Sequence, residues 1–463
     1  MSVSFEVGAA VRAEIRALRA ERGQRTVVLD DDPTGSQCVH GVTIVTDVHA
    51  EQIALGLESP GSTCFVLTNS RSLGPAAAAE LTATAAQTSY TLARERGFDL
   101  DIVSRSDSTL RGHLIAEVDA LDAVHRRLTG RGYDGVLVVP AYFEAGRRTV
   151  DDVHWVRSGD RWIPAAETEF ARDASFGYRS SNLREFVAER SGGTIAAADV
   201  ASISIDDVQA GREHVADLLR GVRGGRFVVV NATDYRDLET VSLALLDAQS
   251  SGSRFLYRSG PSFVRAFVGL DPRDPVSARE LGAQQPTAGH GLVIVGSHVE
   301  LTSRQVSAAR RLGRMEEIEL DVERVDDADY VGGVSESVAT ALERTDVLVL
   351  TSRVLRRGTD AEASLAIARK VSDALVQIVR QARHSRPAWV VAKGGITSHD
   401  VAAGGLEIRR AEVIGQLQPG VITVLRPLDA APEAIGVPFV VFAGNVGDEG
   451  ALAFVIDRLR GGT

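Results

Sequence analysis

The feature that most constrains this chain is a short run of β-branched and apolar residues that returns nine times. The runs are TVVLD (26–30), VTIVT (42–46), CFVLTN (64–69), GVLVVP (135–140), RFVVVN (226–231), GLVIVG (291–296), DVLVLT (346–351), AWVVAK (388–393) and FVVFAG (439–444). They are apolar throughout rather than alternating, as in strands buried on both faces. Segments with helical spacing lie between them, such as 76–96 and 361–383. Strand, helix, strand in this order predicts α/β domains with mostly parallel sheets.

A length of 463 residues exceeds what one hydrophobic core ordinarily holds, so two domains are expected. The segment 269–291 carries three prolines and no apolar period, and reads as the linker between domains over 1–270 and 286–463. Apolar residues at 44% and charged residues at 24% are globular values. Basic minus acidic residues is 51 − 62 = −11, which leaves no excess to neutralise a nucleic-acid backbone or an anionic membrane. No stretch approaches the about 18 apolar residues of a membrane span. Glu6, Arg12, Glu14 and Arg16 fall where a signal peptide needs an apolar run, so a cytoplasmic location is expected. Cys38 and Cys64 have no metal-ligand spacing and no visible activating base. The ten histidines form no H-E-x-x-H pair and are read as structural, so no protein metal site is expected.

Ligands of open α/β sheets bind beyond the carboxyl ends of the strands, so the residues after each apolar run carry the chemistry. Asp31 and Asp32 follow the first run and Arg71 follows the third. Arg105, Asp107 and Arg111 follow DIVS (101–104), and AYFEAGRRT follows 135–140. Arg71, Arg105 and Arg111 suit a planar carboxylate, which a guanidinium fork grips with two parallel hydrogen bonds. Asp31, Asp32 and Asp107 suit the hydroxyls of a polyol and can serve one as general base. Asp107 or Ser108 is also placed to cap a helix with the stripe Leu110, Leu114, Ile115, Val118 and Leu121. Trp155 and Trp162 are expected in the core of the first domain.

The second domain's tips are Gly296-Ser297-His298, Thr351-Ser352-Arg353, Gly394 to Asp400 and Gly444 to Asp448. Glycines and small hydroxyl residues let backbone N–H groups approach a phosphate. Neither a P-loop nor a Rossmann fingerprint is present. A polyhydroxy acid on one domain and a nucleotide on the other imply phosphoryl transfer across a ligand cleft between them.

These motifs resemble the four-carbon acid sugar kinases over nearly the whole chain. DDPTG (31–35), RSDSTLRGH (105–113) and PAYFEAGRRT (140–149) are similar to the family's sugar-acid-binding motifs. GSHVELTSRQ (296–305), KGGITSHDVA (393–402) and GNVG (444–447) are similar to its nucleotide loops. The resemblance implies an ATP-dependent kinase of a threonate- or erythronate-type acid or an oxo or branched relative, with Mg2+ accompanying the ATP. Asp31, Asp32 and Asp107 would be catalytic, the base being Asp31 or Asp32 and Asp107 its orienting partner. Arg71, Arg105 and Arg111 would bind the acid, and Ser297, Gly394, Gly395, Ile396, Thr397, Gly444 and Asn445 would hold ATP. Many relatives carry Ser at the position of Val299 and a basic residue before the last Gly-Asn, where this chain has Phe442-Ala443. Arg353 and Lys393 are the available substitutes for that charge. The partners expected are the acid and ATP, without nucleic acid or membrane, and a homodimer is the assembly carried forward. The alternatives are a non-catalytic sugar-acid sensor with the same cleft and, ranked last, a ligase that releases phosphate.

Overall fold

Strand and helix alternate through both halves of the computed structural model, which describes residues 2–32, 34–284, 289–353, 361–444 and 446–462. The chain divides into Met1–Pro272 and Arg273–Thr463. In the first unit the strands are β1 (Arg25–Asp30), β2 (Thr43–Val45), β3 (Thr63–Leu67), β4 (Leu100–Arg105) and β5 (Gly135–Val139). A separate antiparallel meander follows, β6 (Arg147–Val150), β7 (Val153–Ser158) and β8 (Arg161–Pro164). Then come β9 (Ala201–Ile203), β10 (Arg226–Val230) and β11 (Phe255–Ser259). The main sheet runs β2-β3-β1-β4-β11-β5-β10-β9 with every neighbour parallel.

Alternate residues of these strands explain the unbroken apolar runs. Val27, Leu29, Cys64, Val66 and Ile102 pack in one core with Ala85, Ala86, Val118 and Leu121 of the helices Pro75–Arg96 and Leu114–Thr129. The intervening Val28, Phe65 and Val103 are equally buried. The chain leaves β1 toward β3 on one side and returns to β4 on the other, so the crevice beyond β1 and β4 is the topological switch point.

In the second unit the strands are β12 (Gly291–Val295), β13 (Met315–Leu320), β14 (Asp346–Thr351), β15 (Trp389–Lys393), β16 (Arg410–Gln418), β17 (Ile422–Asp429) and β18 (Phe439–Phe442). Their order is β13-β14-β12-β15-β18-β17-β16, parallel except for β17 against both neighbours. The switch point lies between β12 and β15. Part of the segment read as linker belongs to this unit, because Val276 and Leu281 are buried in its core. Among the described residues no helix is long and apolar enough to cross a membrane.

Candidate active site

The tips of β3, β1 and β4 bring four carboxylates and three guanidinium groups together. Parallel pairing continues just past the strand ends, with Asp31 N–H on the Arg105 carbonyl at 3.2 Å and Thr68 N–H on the Asp30 carbonyl at 2.9 Å. Asp30 is fully buried and receives Arg105 Nη1 at 2.9 Å and the Asp32 N–H at 3.1 Å. A Cβ on Gly35 would fall 1.8 Å from Asp30 Oδ2, so only glycine lets the loop close around this carboxylate. Burial pushes Asp30 up to about 7, opposed by Arg105 and reinforced by Asp31 and Asp32.

Asp32 accepts the Thr34 N–H and hydroxyl, each at 2.8 Å, and pairs with Arg71. Burial favours its neutral form, but Arg71, Arg105 and Thr34 outweigh this and hold it below the ordinary carboxylate range. Arg71 projects from the turn Ser70–Ser72 and also lies 3.6 Å from Asp107 and 3.9 Å from Asp31. Asp107 is further bound by Arg111 Nε at 2.7 Å and by the Thr109 hydroxyl, and these cations overcome burial to keep it well below the usual range. Asp31 differs. Ser106 donates to Oδ2 at 3.0 Å, while Oδ1 is buried with no hydrogen-bond donor and only distant guanidinium groups, Arg71 and Arg105, each at 3.9 Å. Burial raises its pKa against the pull of Arg71, Arg258 and Arg105.

The expected helix cap on Asp107 or Ser108 is not formed. The helix begins at Leu114, with His113 at its cap and no side-chain bond there. Leu110 at φ 70° and Gly112 at φ 123° bend the loop before the helix, and Asp107 spends its oxygens on Arg111 and Thr109 instead. A Cβ at Gly112 would stand 2.8 Å from Arg258 Nη2 and 3.0 Å from Asp31 Oδ2, so glycine is required by both conformation and space. His154 on β7 is fully buried, and its Nε2–H donates to the Ser108 carbonyl at 2.7 Å. His113 bonds the Leu73 carbonyl at 2.9 Å and meets Phe176 edge-on, so both histidines brace the loop. The expectation of core tryptophans is corrected: Trp155 and Trp162 are half-buried on the meander, and Trp162 carries the Arg148 guanidinium at 3.9 Å. Cys38 faces Glu144 at 3.2 Å, and burial pushes its thiol far above its ordinary value.

Four residues of this site escaped the sequence reading. Asp30 looks like the last residue of a strand. Arg258 lies on β11, a strand hidden in the sequence because FLYRS ends in polar residues; it pairs with buried Glu117 and donates to Ser104 at 2.7 Å. Glu117 in turn accepts the Ser70 hydroxyl at 2.6 Å. Arg147 sits on β6 in the GRRT segment. Its guanidinium has no carboxylate within ion-pair reach among the described residues and shares the Phe170 ring with Arg111, at 5.8 and 5.2 Å. A narrow cavity beside these groups is lined by Ser106, Asp107, Arg111, Arg258 and Ser259.

In the second unit three loops are tied around Ser297. The Thr302 hydroxyl on the helix Glu300–Arg310 bridges Ser297 Oγ and the Gly444 carbonyl, the two contacts both measuring 3.0 Å. A Cβ at Gly296 would stand 2.2 Å from the Thr397 hydroxyl, and one at Gly444 2.8 Å from that of Ser297. Gly394, at φ 124°, turns the chain from β15 into the helix Gly395–Asp400. Ile396 is 59% exposed and Val299 46%, an apolar surface beside these loops. Lys393 is fully buried and donates to the carbonyls of Ala443 at 2.6 Å and Gly444 at 3.1 Å, so it braces the last loop from beneath. Burial brings its pKa down to about 7. Ser297, Gly394, Thr397 and Gly444 are thus in mutual reach, Gly395 and Ile396 continue the turn, and Asn445 lies outside the described residues.

One sheet with carboxylates and guanidinium groups at its switch point, and a second with glycine and hydroxyl loops at its own, define a chain of two ligand-binding α/β domains. Two family models match in that order: a sugar-binding N-terminal domain over residues 26–267 and a nucleotide-binding C-terminal domain over residues 292–452. The chain belongs to the four-carbon acid sugar kinase family. It is 27% identical to the D-erythronate kinase of Heliobacterium modesticaldum over 481 aligned positions, covering 94% of this chain and 96% of that one. It is 29% identical to the D-threonate kinase of Salmonella typhimurium over 264 residues, 56% of this chain and only 55% of that relative's length. Two solved structures share the fold. One is a Haemophilus influenzae protein, with TM-score 0.64, 19% identity and coverage of 94% of this chain and 100% of that one. The other is a putative tRNA synthase from Salmonella typhimurium, with TM-score 0.70, 17% identity and coverage of 94% and 98%.

Proposed function

We propose that this protein is an ATP-dependent kinase that phosphorylates a hydroxyl of a four-carbon sugar acid of the threonate or erythronate type. The observation that carries the reading is Asp31. Its Oδ1 is buried, bears no hydrogen bond and has a raised proton affinity; Asp30 Oδ2 is likewise unbonded, but Asp30 has no exposure, is gripped by Arg105 and is closed in by Gly35, while Asp32 and Asp107 are tied to arginines. A buried acceptor without a donor is costly, and a substrate hydroxyl satisfies it. Relatives named as kinases of such acids support the same chemistry.

Within this reading Arg111 and Arg147 hold the acid's carboxylate. Arg71 and Arg105 are committed to Asp32, Asp31, Asp107 and Asp30; they help hold Asp32 and Asp107 ionised and oppose the burial that raises Asp30 and Asp31. ATP, when bound, supplies the phosphoryl group, with Mg2+ shielding its charge. Asp31 takes the hydroxyl proton as that oxygen bonds to phosphorus and ADP departs. On the second domain Ser297, Gly394, Gly395, Thr397 and Gly444 form the phosphate-facing loops, and exposed Val299 and Ile396 offer an apolar seat for the base. Among the described residues no group of three His, Cys, Asp or Glu is assembled for a metal, so no protein ligand is assigned to Mg2+.

The fate of the phosphate tests the reading. In phosphorus NMR of a reaction with D-erythronate, D-threonate and their enantiomers, one acid should gain a phosphate ester as ADP appears. Free phosphate released in step with acid consumption would point to a ligase, and binding of an acid without any turnover would point to a sensor.

A further inference from the structure

We infer that Arg353 is the cation that holds the nucleotide's phosphates in this chain. The inference deepens the nucleotide-binding reading of the second domain and rests on it.

The loop before Gly444 has no basic residue, so a positive charge must come from elsewhere on the same sheet edge. Among the described residues two cations are candidates. Lys393 has no exposure and spends its ammonium on two carbonyls beneath the loop, with the Phe442 ring against it at 3.9 Å. That geometry makes it a positioning residue for Gly444. Arg353, at the tip of β14, is only half-buried and lies against the Ser297 loop. Its Nη1 donates to the Ser297 carbonyl at 2.6 Å and its Nη2 to the Ser303 hydroxyl at 2.8 Å. Its Nε is buried with no acceptor, and among the described residues no carboxylate is within ion-pair reach. Among the described residues two of its five N–H donors find acceptors, one on Ser297, the residue that the glycine loops converge on, and one on Ser303 of the following helix.

The surroundings are those of an anion site. Burial and then Arg310 disfavour the Arg353 cation, and Glu319 only partly offsets them. His298, on the same loop, is kept neutral by burial and by Arg353's charge, and its Nδ1 is also buried without a partner. A fixed guanidinium fork with spare donors, no carboxylate within ion-pair reach among the described residues and glycine-rich backbone beside it matches the geometry of a phosphate better than that of a point acceptor.

The test is the affinity of the purified full-length protein for ADP and for adenosine, measured by calorimetry. Wild type should bind ADP more tightly than adenosine. Arg353→Met should weaken ADP by about 10- to 100-fold and leave adenosine unchanged, with Arg353→Lys between them. Labelling of the wild-type protein with phenylglyoxal serves if the variant fails to fold. Modification of Arg353, read by mass spectrometry, should be blocked by ADP and not by adenosine. Equal loss of both ligands, no loss of ADP, no preference for ADP over adenosine, or labelling indifferent to ADP would each overturn the inference. Arg353-dependent ADP binding with no turnover of any four-carbon acid would instead sink the kinase reading and leave this one standing.

Discussion

Ser106 donates its hydroxyl hydrogen to one carboxylate oxygen of Asp31 at 3.0 Å and leaves the other oxygen buried without a donor. Ser106 itself is placed by the β4-to-helix loop, and the Arg111 carbonyl lies within 3.1 Å of the same hydroxyl. The pair therefore fixes the orientation of Asp31 while keeping one lone pair for a substrate.

Asp31→Asn should lower kcat by about 100- to 10,000-fold and change acid affinity only a few-fold, because the amide keeps the shape but cannot take the proton. In the wild type the rate should rise with pH as Asp31 ionises. That step should lie above the ordinary aspartate range, since burial raises its pKa. Steady-state kinetics across pH check both; a variant with near-normal kcat would assign the base elsewhere.

Arg147→Met should raise KM for the acid by about 10- to 100-fold with ADP affinity intact, the loss expected of one charge-assisted fork on a carboxylate. An unchanged KM would return the carboxylate to Arg111 alone. The comparison with Arg148→Met, whose guanidinium rests on Trp162, provides the control.

Glu117→Ala should destabilise the protein by about 3–5 kcal/mol, because it strands the buried Arg258 cation behind the site. Glu117→Leu combined with Arg258→Met should recover much of that loss while lowering activity through the disturbed Ser70 and Ser104 contacts. Denaturant unfolding of wild type, Glu117→Ala, the double variant and its two single variants decides, and additive losses from Glu117→Leu and Arg258→Met would contradict the coupling.

Much of this was legible in the sequence where one physical cause acts alone. Strands buried on both faces read as unbroken apolar runs, and so β1, β5, β12, β14 and β15 stand out. The missed strands mix causes. In β11 the residues Arg258 and Ser259 are buried polar groups, and Arg258 is satisfied by Glu117 and Ser104, contacts that no local pattern announces. Edge strand β13 carries Glu316, Glu317 and Glu319 and alternates, while β16 and β17 are antiparallel and carry charges among their apolar residues. Leu110 shows why the helix start was misplaced. It has the right spacing and is buried with the helix's own stripe, yet its left-handed backbone puts it in the preceding loop. Arg71, Arg105 and Arg111 were legible as residues of one crevice, but their partners within it are set by distances of a few ångströms between strands far apart in sequence.

Lys393 predicts a pH dependence of stability. Its pKa falls from 10.5 unfolded to about 7 folded, so between those values the unfolded chain binds more protons and stability rises with pH. The stability of wild type relative to Lys393→Met should therefore climb by up to about 1.4 kcal/mol per pH unit from pH 7 toward 10. Paired denaturant titrations at several pH values measure it, and a flat difference would show the amine to be charged throughout.

The most direct test of the kinase account is ADP release by the purified protein with Mg-ATP against D- and L-threonate, D- and L-erythronate and their oxo and branched relatives. The account predicts ADP formation that depends on one of these acids and vanishes in Asp31→Asn. Silence across the panel in a protein that still binds ADP, or equal turnover by Asp31→Asn, would contradict it.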